Sequence, residues 1–163
     1  MLISPLPNRP IYRITQKFGQ NDKDYGAPND HVGHNGIDFA PRFPGQKGYL
    51  VYAPHDGYLR VGYDPDGYGN YVEITSLAYN DAGHRRLSIL AHLEQITKPN
   101  GAWVGAGDSV GIMGTTGWSS GVHLHWTYKV LDEDGGYVYP NNGYNGAIDI
   151  GPKAVQWINY PIY

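Results

Sequence analysis

The sequence predicts an all-β protein: a single antiparallel sheet or half-open small barrel, with long loops framing a substrate groove and few or no helices. Three observations carry that prediction. Glycine, tyrosine and proline number 23, 15 and 12 among 163 residues, while charged residues make up only 17%. That balance suits strands and tight turns better than helices. Short apolar runs recur at close spacing, separated by turn sequences such as Asp64-Pro-Asp-Gly67 and Asn100-Gly101. No stretch long enough for an amphipathic helix keeps a helical period.

Taken in order, residues 1–13 are irregular, broken by Pro5, Pro7 and Pro10. A short strand is predicted over 12–18, followed by a polar loop over 19–33; loops of that length in compact domains are functional or disordered. Further strands are predicted over 37–39, 49–53, 57–63, 71–77, 86–93, 109–113 and 122–130, each bounded by turn chemistry. Residues 131–163 form a Tyr- and Gly-rich extension expected to pack back on the sheet. Pro152 suits the first position of a helical turn over 152–159. With no repeat and no linker, the chain reads as one domain over 1–163: an irregular segment 1–13, a core 14–130 and the extension 131–163.

Composition narrows the function. The formal net charge is −3 and the twelve Lys and Arg residues are scattered, which argues against a nucleic-acid partner. Arg85-Arg86 reads as a solvated hairpin tip. No apolar run approaches the roughly 20 residues needed to span a bilayer, and no basic start leads into an apolar stretch of signal-peptide type. The expectation is a soluble monomer with no membrane contact. There are no cysteines, so disulfides are excluded and any zinc must take nitrogen and oxygen ligands.

The richest segment is the run from Val122 to Val130. Residues two apart on a strand share a face. Val122, Leu124, Trp126, Tyr128 and Val130 therefore fall on one face, and His123, His125, Thr127 and Lys129 on the other. Two imidazoles sit on one polar face, with Cα atoms roughly 6–7 Å apart. One can bind a metal while the other faces what the metal holds; spacing leaves open which does which. Upstream, His34-Asn-Gly-Ile-Asp38 offers a second His/Asp pair. If extended, its two Cα atoms would lie about 13 Å apart, so the backbone must bend, and Gly36 is the residue that bends without steric cost. Leu90-Ala91-His92-Leu93 supplies another histidine, with alternation putting Ser88, Leu90 and His92 on one face. His55 and His84 read as solvated turn residues. His31, three residues before His34, is the rival ligand. Trp118 and some tyrosines are candidates for the wall of the groove.

Together, His34-x-x-x-Asp38, Ala91-His92-Leu93 and His123-x-His125 resemble the motif set of the lysostaphin/LytM-type zinc endopeptidases, which cut peptide bonds in bacterial peptidoglycan. The resemblance extends to Lys17-Phe-Gly19, Gly36-Ile-Asp-Phe-Ala40, the segment from Val51 to Gly57, the segment from Gly67 to Val72 and the segment from Gly111 to Gly117, all in the family's order. It covers roughly residues 14–130, with a looser echo over 147–158. It implies that His34, Asp38 and His125 are the ligands of one Zn2+ per chain, and that His92 and His123 are the catalytic histidines. It further implies that the partner is the peptide cross-links of peptidoglycan. No H-E-x-x-H motif supplies a glutamate base, so His92 and His123 are expected to orient and deprotonate water and to stabilise the oxyanion. Two readings from other classes accompany this one: a catalytically silent structural or binding module of the same family, and a zinc carboxypeptidase acting on stem peptides. Asn35 departs from the glycine often found after the first histidine. Without a visible signal peptide, the expected setting is a phage endolysin or virion-associated enzyme, or a trimmed secreted one, acting on the cell wall.

Overall fold

The computed structural model describes residues 2–7, 11–21, 31–77 and 82–151. Among them no helix forms, and the expectation of an all-β protein holds. The helical turn expected over 152–159 and much of the 19–33 loop lie outside the described residues. Ten strands follow in order: β1 (Tyr12–Gln16), β2 (Ile37–Pro41), β3 (Leu50–Tyr52), β4 (Gly57–Asp64), β5 (Gly69–Thr75), β6 (Arg85–Ala91), β7 (Leu93–Ile96), β8 (Trp103–Val104), β9 (Ser109–Met113) and β10 (Leu124–Leu131). They build a seven-stranded sheet ordered β1-β2-β10-β6-β5-β4-β8 and a three-stranded sheet ordered β3-β9-β7. The large sheet stays open rather than closing into a barrel, and every described pairing is antiparallel.

The core lies between the two sheets. Leu124 and Trp126 of β10, Leu90 of β6 and Ile74 of β5 meet Val110 and Met113 of β9, all fully buried. Burial of such side chains stabilises by about 1.5–3 kcal/mol each, so this layer holds β10 and its histidines in place.

Several expectations are corrected here. The stretch 86–93 is two strands, because β6 belongs to the large sheet and β7 to the small one. The chain crosses between them at His92, whose φ is 60°. Arg85 and Arg86 open β6 rather than forming a hairpin tip. The polar second face of β10 lies largely inside, with His125, Thr127 and Lys129 buried. A second cluster of Leu87, Ile89 and Leu131, flanked by Tyr68 and Tyr71, covers that side, and the Lys129 ammonium sits 4.2 Å from the Tyr137 ring centre.

The extension does pack back on the sheet where it is described. β2 pairs with β10 only from Leu124 to Trp126. Beyond that, the freed edge of β10 takes the extension, with Ile148 N–H donating to the Tyr128 carbonyl at 3.0 Å and Val138 N–H to that of Val130 at 3.0 Å.

Candidate metal centre and catalytic cleft

Asp38 and His125 are direct cross-strand partners in the β2–β10 ladder, so their side chains leave the same face at close range. Asp38 Oδ1 lies 2.8 Å from His125 Nδ1. His34 comes in from the loop before β2, where its N–H donates to the Gln20 carbonyl and its own carbonyl accepts from Gly19 N–H. Its Nε2 ends 3.1 Å from Asp38 Oδ1 and 2.9 Å from His125 Nδ1. All three residues are buried. The bend at Gly36 is there, but its φ is not in the left-handed region; the position needs glycine for closeness. A Cβ on Gly36 would stand 2.6 Å from the Trp126 carbonyl oxygen and 2.7 Å from the His125 ring.

The donor set fits a divalent cation. His34 Nδ1–H donates to the Lys17 carbonyl at 3.0 Å, which leaves Nε2 with only a lone pair. His125 Nε2–H donates to Thr127 Oγ1 at 2.8 Å in the tautomer that frees Nδ1. Two imidazole lone pairs and a carboxylate oxygen then face one point, within 4.8 Å of one another. Nitrogen and oxygen ligands in this number match the three-ligand zinc sites of hydrolases. Burial pushes the Asp38 carboxyl up, but hydrogen bonds and charge from His125 and His34 outweigh it and hold the group well below the usual carboxylate range. Burial pushes His125 down, only partly offset by Asp38, which favours the neutral ring a metal requires.

His92 and His123 stand beside this centre, their ring centres 4.5 Å apart. Alternation had assigned His92 to the face of Leu90, which is the core. The left-handed turn at His92, where the chain changes sheets, breaks that alternation and brings the ring to the cleft, 5.9 Å from the His125 ring. Such a conformation costs a β-carbon-bearing residue about 1–3 kcal/mol and is held by its surroundings. His92 N–H donates to the Tyr68 carbonyl at 2.8 Å, and Nδ1–H donates to the Thr116 carbonyl at 2.8 Å. Thr116 is itself anchored, its hydroxyl donating to the Leu93 carbonyl at 3.0 Å. His123 Nδ1–H donates to the Gly121 carbonyl at 2.8 Å, and its Nε2 lies 3.8 Å from Asp38 Oδ2. Both rings thus keep Nε2 as the lone-pair atom. Burial above all, then the neighbouring His123 and His125, pushes His92 down to about 4, so it is neutral at pH 7.

These side chains line an open cleft of about 850 Å³, with Trp118 and Tyr68 on its walls. His31 lines the cleft too but is not among the converging three. His55 is not solvated: it is buried beneath the sheet, with Nδ1–H donating to the Asp56 carbonyl and Nε2 accepting from the Ser88 hydroxyl, both at 3.0 Å. Sequence reasoning missed Lys17, Thr116 and Tyr68 as supports. Thr127 carried a signal, being two residues after His125 on the same face.

A model of peptidase family M23 matches residues 32–140, which include His34, Asp38, His92, His123 and His125. The chain belongs to peptidase family M23. Over 93 residues it is 33% identical to the peptidoglycan DD-endopeptidase ShyA of Vibrio cholerae, a match covering 57% of this chain and 19% of that protein. An uncharacterized metalloprotease of Haemophilus influenzae is 31% identical over 98 residues, 60% of this chain and 18% of that protein. The matches thus span about a fifth of the length of these relatives. Among solved structures, the catalytic domain of EnpA, a prophage-encoded M23 protein of Enterococcus faecalis, aligns with a TM-score of 0.60 at 27% identity, covering 85% of this chain and 96% of that one. Lysostaphin of Staphylococcus simulans aligns with a TM-score of 0.60 at 25% identity, over 88% of this chain and 49% of that one. The M23 match begins just before His34 and ends at residue 140, so the part of the extension that carries Ala147 and Ile148 lies beyond it.

Proposed function

We propose that this M23 protein is a zinc-dependent endopeptidase that hydrolyses peptide cross-links of bacterial peptidoglycan. One observation carries the reading: three acceptor atoms, from His34, Asp38 and His125, converge in a cleft that His92 and His123 also line. Zinc held there supplies Lewis acidity, polarising a scissile carbonyl and making water a better nucleophile. With two neutral imidazoles and one carboxylate around it, the centre keeps a formal charge of +1.

The chain's own residues do the rest. His92 and His123 each have Nδ1–H tied to a backbone carbonyl, which fixes the ring and reserves Nε2 for proton transfer. A ring that takes a proton from water at Nε2 becomes a donor, able to stabilise the tetrahedral oxyanion or protonate the departing amine. Trp118 on the cleft wall offers a flat face to an extended peptide.

The test is metal content together with loss of turbidity on two purified peptidoglycans, one glycine-bridged and one cross-linked through diaminopimelate, with and without chelator. One equivalent of zinc with chelator-sensitive lysis of either wall is the expected result. Zinc without cleavage of either wall sinks the endopeptidase assignment and leaves a silent module or a stem-trimming enzyme.

A further inference from the structure

Asn35 and Thr127 are chain neighbours of the two histidine ligands, one residue after His34 and two after His125, and both reach the same phenol. Asn35 Nδ2–H donates to the Tyr68 hydroxyl at 2.8 Å. The Tyr68 and Thr127 hydroxyls are 3.3 Å apart, and Thr127 Oγ1 is 2.8 Å from His125 Nε2. Asn35 and Thr127 are buried, and the Tyr68 ring centre lies 5.5 Å from that of His125. A line of four polar groups therefore ties the loop carrying His34 to the strand carrying His125.

We infer that Asn35, Tyr68 and Thr127 form a clamp that sets the separation of the two histidine ligands and the tautomer of His125. The inference rests on the metallopeptidase reading above and adds three positioning residues to it. The physical case has two parts. First, imidazole ligates through a nitrogen that lacks a proton, and an acceptor at Nε2 keeps the proton on the far side of the ring from the metal. Thr127 is that acceptor for His125, as the Lys17 carbonyl is on the Nδ1 side of His34. Second, His34 sits on a loop rather than in the sheet, so its distance to β10 is not set by ladder pairing. The Asn35–Tyr68–Thr127 link spans that gap with side chains alone. In low-dielectric surroundings such linked hydrogen bonds act together, so breaking one weakens the whole line.

The test is apparent zinc affinity at pH 7.5, by competition with a chromophoric chelator, alongside the thermal midpoint of the metal-free protein. Thr127→Val and Tyr68→Phe are near-isosteric and should fold. Each is expected to weaken zinc binding about 10- to 100-fold, the usual consequence of losing a group that orients a ligand. Thr127→Ser, which restores the hydroxyl, should return affinity to near that of the unaltered protein. Asn35→Gly combined with Tyr68→Phe should be no worse than Tyr68→Phe alone, since both cut one line. Unaltered zinc affinity in Thr127→Val and Tyr68→Phe overturns the clamp, as does a failure of Thr127→Ser to rescue. If the unaltered protein itself takes up no zinc, the metallopeptidase reading falls and the clamp falls with it, an outcome distinct from the other two.

Discussion

His34 Nε2 and His125 Nδ1 face each other at 2.9 Å, although the other nitrogen of the His34 ring is already committed to the Lys17 carbonyl. Asp38 Oδ1 adds a third acceptor at 3.1 and 2.8 Å. Lone pairs crowded in this way repel unless a cation or a proton lies between them. Three acceptors buried together, with the remaining ring nitrogens held by the Lys17 carbonyl and Thr127 Oγ1, fit the proposed ligand set.

Removal of a ligand should therefore abolish stoichiometric metal binding. His125→Ala and Asp38→Asn are expected to purify without zinc, by elemental analysis, while the unaltered protein carries one equivalent. Because ligation needs neutral imidazoles and burial holds His125 below its ordinary 6.5, acid should displace zinc only below that value, and bound zinc followed against falling pH checks this.

His92→Ala should separate binding from chemistry. The ring lies outside the converging set, so zinc content should stay near one equivalent. Hydrolysis should slow by about 10²–10⁴-fold, the range typical of a lost proton-transfer group. Paired metal analysis and turnover assays check this, and turnover close to that of the unaltered protein would remove His92 from the mechanism.

Gly36→Ala tests the close approach behind the ligands. The added methyl would press on the Trp126 carbonyl and the His125 ring, and overpacking of this kind costs about 1–3 kcal/mol. A lower denaturant midpoint and weaker zinc binding should appear together. A variant that loses neither shows that the strand relaxes around the methyl group.

His55 should make the fold sensitive to acid. Burial pushes this histidine below its ordinary 6.5, with the Asp56 carbonyl opposing and Arg86 adding to the shift. The unfolded chain takes up a proton as pH falls through about 6.5, whereas the folded one does not until its own lower value is reached. Stability contributed by neutral His55 is therefore intact above pH 6.5 and declines as pH drops through that window. Urea unfolding at pH 7.5 and pH 5, compared between the unaltered protein and His55→Gln, should show a steeper acid loss in the former. Equal slopes would remove His55 as a source of acid sensitivity.

Much of the fold was legible because strands announce themselves locally. The predicted stretch 109–113 is β9 residue for residue, and 57–63 falls one residue short of β4, since turn chemistry such as Asp64-Pro-Asp-Gly67 bounds them. The extension's return to the sheet was also readable from its composition. The division into two sheets was not, because a strand's pattern does not say which neighbour it joins. Trp103 and Val104, too short to show alternation, went unseen as β8.

By itself the sequence determined most of the strands and the chemistry that its side chains make available, and it supplied the candidates for the site. Side-chain type and a period of two are properties of the chain alone. Tertiary structure decided which of these residues meet and in what state. Cross-strand register set Asp38 against His125, and a change of sheet at His92 turned that ring from the core to the cleft. Packing buried His55 and the far face of β10. Those outcomes depend on contacts between residues tens of positions apart, and no local pattern encodes which of them share a point in space.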